Sequence, residues 1–150
     1  MRLKIYTMNI SIGCDHAGYE LKAAIIKQLE ATGHEMKDYG TNGPDSVDYP
    51  DYAHPVCEDV ESGSAELGIL ICGSANGMAM SANKHQNIRC ALSWLPEIAA
   101  LGRQHNNANV VAIPARFVSE ALGVEIAETF INEQFEGGRH ERRVNKIACQ

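Results

Sequence analysis

The sequence contains no apolar run close to the ~20 residues that a membrane-spanning helix requires. It also lacks an excess of positive charge. Thirteen Lys and Arg stand against nineteen Asp and Glu, a formal net charge of −6, so no general basic surface for nucleic acid is implied. The five cysteines (14, 57, 72, 90 and 149) include no C-x-x-C pair and no zinc-type spacing. An odd, unpatterned set speaks against a disulfide framework and fits a reducing cytoplasm; no structural metal is expected. The opening MRLKIYTMNISIG is basic but too poor in apolar residues for a secretory signal. Internal repeats and low-complexity segments are absent as well. Two nucleotide signatures also fail. Gly13-x4-Gly18 has the glycine spacing of a phosphate loop, but Tyr19-Glu20 stands where Lys and Ser/Thr would bind phosphate and magnesium. The turn after Cys72 lacks the G-x-G-x-x-G of a dinucleotide site.

What is present is an ordinary globular chain. Its 150 residues, 45% hydrophobic and 21% charged, suit one domain with a proper core. Residues 1–8 read as an N-terminal extension or upstream start, and 139–150 as a C-terminal helix and tail.

Apolar patterning gives five strand–helix alternations. Asn9 to Cys14 is a first strand, followed by a helix with Leu21, Ala24, Ile25, Gln28 and Leu29 at helical spacing up to Gly33. His34 to Tyr39 is a weaker strand, Gly40 to Pro50 a loop, and about Asp51 to Ser62 a helix with Pro55 in its first turn. Leu67 to Cys72 is an apolar run bounded by glycine, as in a strand buried on both faces of a parallel sheet. Gly73 to Gly77 is a turn of small residues before a helix over Met78 to Lys84. Ile88 to Trp94 is a strand, Pro96 to Arg103 a helix, and Asn109 to Ile113 a strand. Val118 to Phe135 is an amphipathic helix, and Arg139 to Ala148 a last short one. The expected fold is α/β: a doubly wound (Rossmann-like) five-stranded parallel sheet with helices on both faces.

In such folds ligands bind at the carboxyl ends of the strands. Asp15 and His16 follow the first strand there, Cys72 to Gly77 the third, and Pro114 to Arg116 the fifth. Strand, tight turn and helix aim several backbone N–H groups at one spot, so Cys72 is expected to have a lowered pKa and to be a candidate base or nucleophile. An isolated free cysteine is nonetheless more often inert filler. Asp15-His16 also reads as a helix cap. His105, at a helix end, is a candidate acid–base group, although capping histidines are commoner there. Positive charge gathers at Arg139, His140, Arg142 and Arg143. Arg139 and Arg143, one helical turn apart, suit two-sided capture of a phosphate, unless they only solvate a helix end.

Six segments in register resemble one family. They are Cys14-Asp15-His16-Ala17-Gly18, Asp48-Tyr49-Pro50, Gly68 to Ser74, Ala82-Asn83-Lys84, Arg103-Gln104-His105-Asn106, and Glu136-Gly137-Gly138-Arg139-His140-x-x-Arg143. Together they are similar to ribose-5-phosphate isomerase B, a family shared with galactose-6-phosphate isomerase subunits and allose-6-phosphate isomerases. The resemblance covers about residues 9–145.

That resemblance implies interconversion of ribose 5-phosphate and ribulose 5-phosphate through an enediolate, without metal or other cofactor. Cys72 would be the base, the N–H groups of Gly73, Ser74, Ala75, Asn76 and Gly77 the oxyanion hole, and Ser74 a relay between O1 and O2. His105 would open the furanose ring, with Asn106 beside it, while Asp15 and Tyr49 position hydroxyls. His16, Arg116, Arg139 and Arg143 would hold the phosphate. It also implies a homodimer or dimer of dimers, cytoplasmic, with the active site shared and the His105 and Arg116 equivalents supplied across the dimer interface. Two departures stand out. The family usually has glycine where this chain has Ala75, at a cost of roughly 1 kcal/mol if that position needs a positive φ. Some relatives lack the cysteine and use a glutamate at the position of Met78, which cannot act as a base. Rival readings are the same chemistry on a six-carbon phosphosugar, a thiol hydrolase built on Cys72 and His105, and a non-catalytic phosphosugar-binding module. Nothing in the sequence supplies the hydrolase's third orienting group.

Overall fold

In the computed structural model, residues 6–149 are described; most of the proposed N-terminal extension lies outside them. Five parallel strands form one sheet: β1 (Asn9–Cys14), β2 (Glu35–Asp38), β3 (Leu67–Cys72), β4 (Cys90–Leu92) and β5 (Val110–Pro114), in the order β2-β1-β3-β5-β4. Six helices connect or follow them: α1 (Tyr19–Ala31), α2 (Pro50–Ser62), α3 (Asn76–Ala82), α4 (Pro96–Asn106), α5 (Glu120–Asn132) and α6 (Arg139–Val144). The doubly wound expectation holds.

β3 is the centre because its side chains are apolar on both faces. Ile69, Leu70 and Ile71 are fully buried, each contributing about 1.5–3 kcal/mol relative to exposure. Alternation divides them. Ile69 and Ile71 join α1, α4 and α5 in one core, while Leu70 and Cys72 join α2 and α3 in the other. The edge strands are the weakest. β2 is mostly exposed and β4 has only three half-buried residues, shorter than the expected Ile88 to Trp94.

Helix ends follow local chemistry. Pro50, rather than Pro55, takes the first position of α2, so Pro55 lies beyond the first turn. Ser119 caps α5 by accepting from the Leu122 N–H at 3.1 Å, which starts that helix two residues later than its apolar pattern suggests. α4 runs on through His105 and Asn106, and Asn107 ends it in the left-handed conformation at φ 49°. α6 is shorter than expected, closing at Val144.

The loop after β2 is tied down by a buried charge. Lys22, 2% exposed, lies 2.6 Å from Asp38 Oδ1 and donates to Asn42 Oδ1 at 2.6 Å. Thr41 N–H donates to the Cys14 carbonyl at 2.8 Å, and Cys14 N–H to that of Gly40 at 2.7 Å. The carboxyl end of β1, where Asp15 begins, is thereby held from both sides. The pair is buried on the lysine side only, and losing Asp38 would leave the Lys22 ammonium buried with Asn42 as its remaining partner.

Candidate active site

The sheet order puts β1 and β3 side by side, with β2 beyond one and β5 beyond the other. The strands stay parallel, but the order in which the chain lays them down reverses between β1 and β3, which opens the crevice where such folds bind ligands. Asp15 enters it from β1. It is 8% exposed, its N–H donates to the Ile71 carbonyl at 3.1 Å, and its Oδ1 accepts from Ala17 N–H at 2.9 Å. His16 follows and accepts at Nδ1 from Val47 N–H at 3.3 Å, which anchors the loop leading to Tyr49.

Cys72 enters from β3 and is 4% exposed. The turn after it folds back over the sulfur. Its pKa is raised above the ordinary value, first because burial disfavours the thiolate. Backbone N–H groups of Met78, Ala75 and Ser74 pull the other way, and the negative charge of Asp15 pushes it further up. The donor-rich turn is present, yet the expected lowering is not. Desolvation outweighs three hydrogen bonds.

Ala75 is the hinge of this turn, at φ 65°, fully buried. An L side chain there costs about 1–2 kcal/mol, so the departure from glycine is a real strain. Ser74 and Asn76 are exposed toward the crevice, Asn76 donating from N–H and Nδ2 to Ser74 Oγ at 3.3 and 3.2 Å. Gly77 allows Tyr49 to close on the start of α3. A Cβ there would lie 2.5 Å from the Tyr49 ring. Gly73 does the same for Arg116, whose Nη1 would be 3.2 Å from a Cβ at Gly73. Met78 is fully buried in the core under α3.

His105, Asn106, Arg139 and Arg143 lie elsewhere. α4 returns from the carboxyl end of β4 to the amino end of β5, so its last residues sit at the opposite edge of the sheet. Arg103 there donates to the Ala108 carbonyl at 2.6 Å. Register confirms the separation: Cys72 pairs with Pro114, the last residue of β5, and the strand begins at Val110. A strand of that length spans roughly 13 Å. α6 docks on α4 by stacking His140 on His105, and carries the exposed Arg139 and Arg143 with it.

The expected site residues thus fall into two candidate half-sites in one chain. Asp15, His16, Tyr49, Cys72, Gly73, Ser74, Ala75, Asn76, Gly77 and Arg116 form one, and His105, Asn106, Arg139 and Arg143 the other. The four expected phosphate ligands do not meet within a chain. Arg116 in particular stands with Cys72, whereas the resemblance grouped it with His105 across an interface. Sequence reasoning gave no role to Glu136 or to His140 beyond its charge, although both stand in the last motif. A cavity of about 670 Å³ at the amino end of the sheet includes His34 and Arg103. His34 already accepts from Met8 N–H, and Arg103 donates to the Glu133 and Ala108 carbonyls.

Residues 10–147 match the ribose/galactose isomerase family, and the chain belongs to it. Among curated relatives, Escherichia coli ribose-5-phosphate isomerase B is 42% identical over 140 residues, covering 93% of this chain and 94% of the relative. The crystal structure of a Thermotoga maritima ribose 5-phosphate isomerase is 45% identical with a TM-score of 0.91, over 94% of this chain and 97% of that one. The Mycoplasma genitalium ribose-5-phosphate isomerase B with bound ribulose 5-phosphate is 42% identical with a TM-score of 0.90, over 95% of both chains.

Proposed function

We propose that this chain interconverts ribose 5-phosphate and ribulose 5-phosphate, with Cys72 as the base. The observation that carries the reading is the place of Cys72: at the reversal between β1 and β3, under a turn that supplies N–H donors, beside Asp15. Identity of 42–45% to ribose-5-phosphate isomerases over nearly the whole chain supports it.

The thiolate removes the proton from C2 of the open-chain aldose. The C2–H electron pair forms the C1–C2 double bond, and negative charge moves to O1. Backbone donors of the 73–77 turn stabilise that charge, each commonly worth a few kcal/mol. Ser74 carries a proton from O2 to O1, and the thiol returns its proton to C1, leaving the ketone at C2. The chemistry needs only proton transfers, for which the residues present suffice.

The two half-sites support an assembly in which a second copy brings its His105, Asn106, Arg139 and Arg143 to the Cys72 crevice of the first. His105 then opens the furanose ring, and the arginines, with His16 and Arg116, neutralise the phosphate dianion. A homodimer is the smallest such assembly, with a dimer of dimers an extension of it. Among the described residues no helix is long and apolar enough to cross a membrane. Five free cysteines and a phosphorylated substrate favour the cytoplasm.

The test is an assay of the purified protein on ribose 5-phosphate, allose 6-phosphate and galactose 6-phosphate, with EDTA present. Turnover of ribose 5-phosphate ahead of both hexose phosphates, undiminished by EDTA, is expected. Preference for a hexose phosphate would move the substrate assignment, and loss with EDTA would overturn the metal-free mechanism.

A further inference from the structure

His105 and His140 stack with ring centroids 4.2 Å apart and planes 11° from parallel. Glu136 Oε2 stands 3.9 Å from His105 Nε2 and 3.6 Å from His140 Nε2. Two histidines and a carboxylate this close suggest a metal site, but the ring geometry opposes it. An imidazole lone pair lies in the ring plane, so two near-parallel rings aim theirs past each other, not at one ion.

The stack is better suited to orientation. His105 is 38% exposed, and Glu136 at 3.9 Å is beyond hydrogen-bond reach. The flat face of His140 lies against that of His105 and so bears directly on the plane of the His105 ring. His140 is 8% exposed and belongs to α6, which rests on α4. The chain approaching α6 is fixed as well, since Glu136 N–H donates to the Gln104 carbonyl at 3.0 Å. Burial first, then the charges of His105 and Arg139, push His140 below its ordinary pKa. Glu136 opposes that push and Arg143 adds to it, leaving His140 a neutral support.

We propose that His140 is a positioning residue for ring opening: its stacked imidazole sets the orientation of His105 toward the cyclic sugar. The proposal rests on the reading of His105 as the ring-opening group. It gives the last motif a second task besides phosphate capture, because Arg139 and Arg143 flank the support on the same helix.

The test compares full-length wild type with His140→Ala, His140→Phe and His105→Asn. One substrate is ribose 5-phosphate. The other is its 4-deoxy analogue, which lacks the oxygen that closes a furanose ring and is always open. His140→Ala should lose about ten- to a hundredfold in kcat/KM on ribose 5-phosphate, the scale of a catalytic group misplaced by about 1 Å. On the analogue it should lose no more than about threefold. His140→Phe keeps a flat ring without nitrogens and should recover most of the loss. The Cε1–H proton resonance of His105 should shift in His140→Ala and return toward its wild-type position in His140→Phe, whatever reaction is catalysed. Equal losses on both substrates, failure of phenylalanine to rescue, or an unmoved His105 resonance would each overturn the proposal. His105→Asn tests the underlying reading separately. If that variant is as impaired on the open analogue as on ribose 5-phosphate, the ring-opening role itself fails. The His105 resonance in His140→Ala then still decides whether the stack orients the ring.

Discussion

Raising the pH should increase kcat/KM steadily through the neutral range, because the proposed base, Cys72, rests as a thiol. Cys72 is 4% exposed, and burial drives its pKa above the ordinary 9.0 against the pull of the Met78, Ala75 and Ser74 N–H groups. At pH 7 a thiol with a pKa near 9 is about 1% ionised, and burial takes Cys72 below even that. Each pH unit up to the thiol's own pKa then multiplies the thiolate, and with it kcat/KM, by about ten. The substrate phosphate does not contribute over most of this range, since its second ionisation lies near pH 6. The assay is kcat/KM for ribose 5-phosphate from about pH 6.5 to 9.5, with alkylation of Cys72 by iodoacetamide over the same range. Both curves should climb together with unit slope. A plateau at or below neutral pH in both would show that the turn's donors outweigh burial and refute the electrostatic reasoning. A flat rate beside steeply rising alkylation would show that Cys72 is not the base.

Arg139→Ala and Arg143→Ala should each lower kcat/KM for ribose 5-phosphate by about one to two powers of ten, with Arg143→Lys recovering only part. Similar fold-losses on unphosphorylated ribose would mean that these arginines hold structure. If the half-sites meet between copies, mixing and refolding inactive Cys72→Ala with inactive His105→Asn should restore about a quarter of wild-type activity. Half the dimers are then mixed and each has one intact site; no recovery would place a whole site in one chain. Ala75→Gly should stabilise the protein by up to about 1 kcal/mol, because relief of the left-handed conformation exceeds glycine's entropic cost. A urea midpoint that does not rise, at unchanged m, would count against strain at that turn.

The order of strands and helices was legible because each element has its own apolar period and its own stop. Sheet order was not. Nothing local to Cys90–Leu92 or Val110–Pro114 says that β5 lies against β3 and β4 at the edge; that follows from which strand is buried on both faces. Cys72 stood out as a candidate from its place between an apolar run and a glycine turn, and the structure puts it at the carboxyl end of β3 as that place implies. The sign of its pKa shift was not, since it depends on how tightly the turn, α2 and α3 close over the sulfur. Separation of His105 from Cys72 was implicit in the chain order. A helix joining two parallel strands must end at the edge of the sheet where the next strand begins, so the carboxyl end of α4 lies opposite Cys72. Arg116, one strand end away from Cys72, falls on the Cys72 side by the same logic. His140 gave no signal beyond its charge, because stacking depends on how α6 meets α4.

Solvent exchange into the substrate tests the central claim most directly. Wild type incubated with ribose 5-phosphate in deuterium oxide should introduce deuterium at the carbon that receives the proton, read by NMR. Cys72→Ala should show no such exchange while inorganic phosphate still binds with wild-type affinity. Exchange at the wild-type rate in Cys72→Ala would contradict the account, because another group would then be moving the proton.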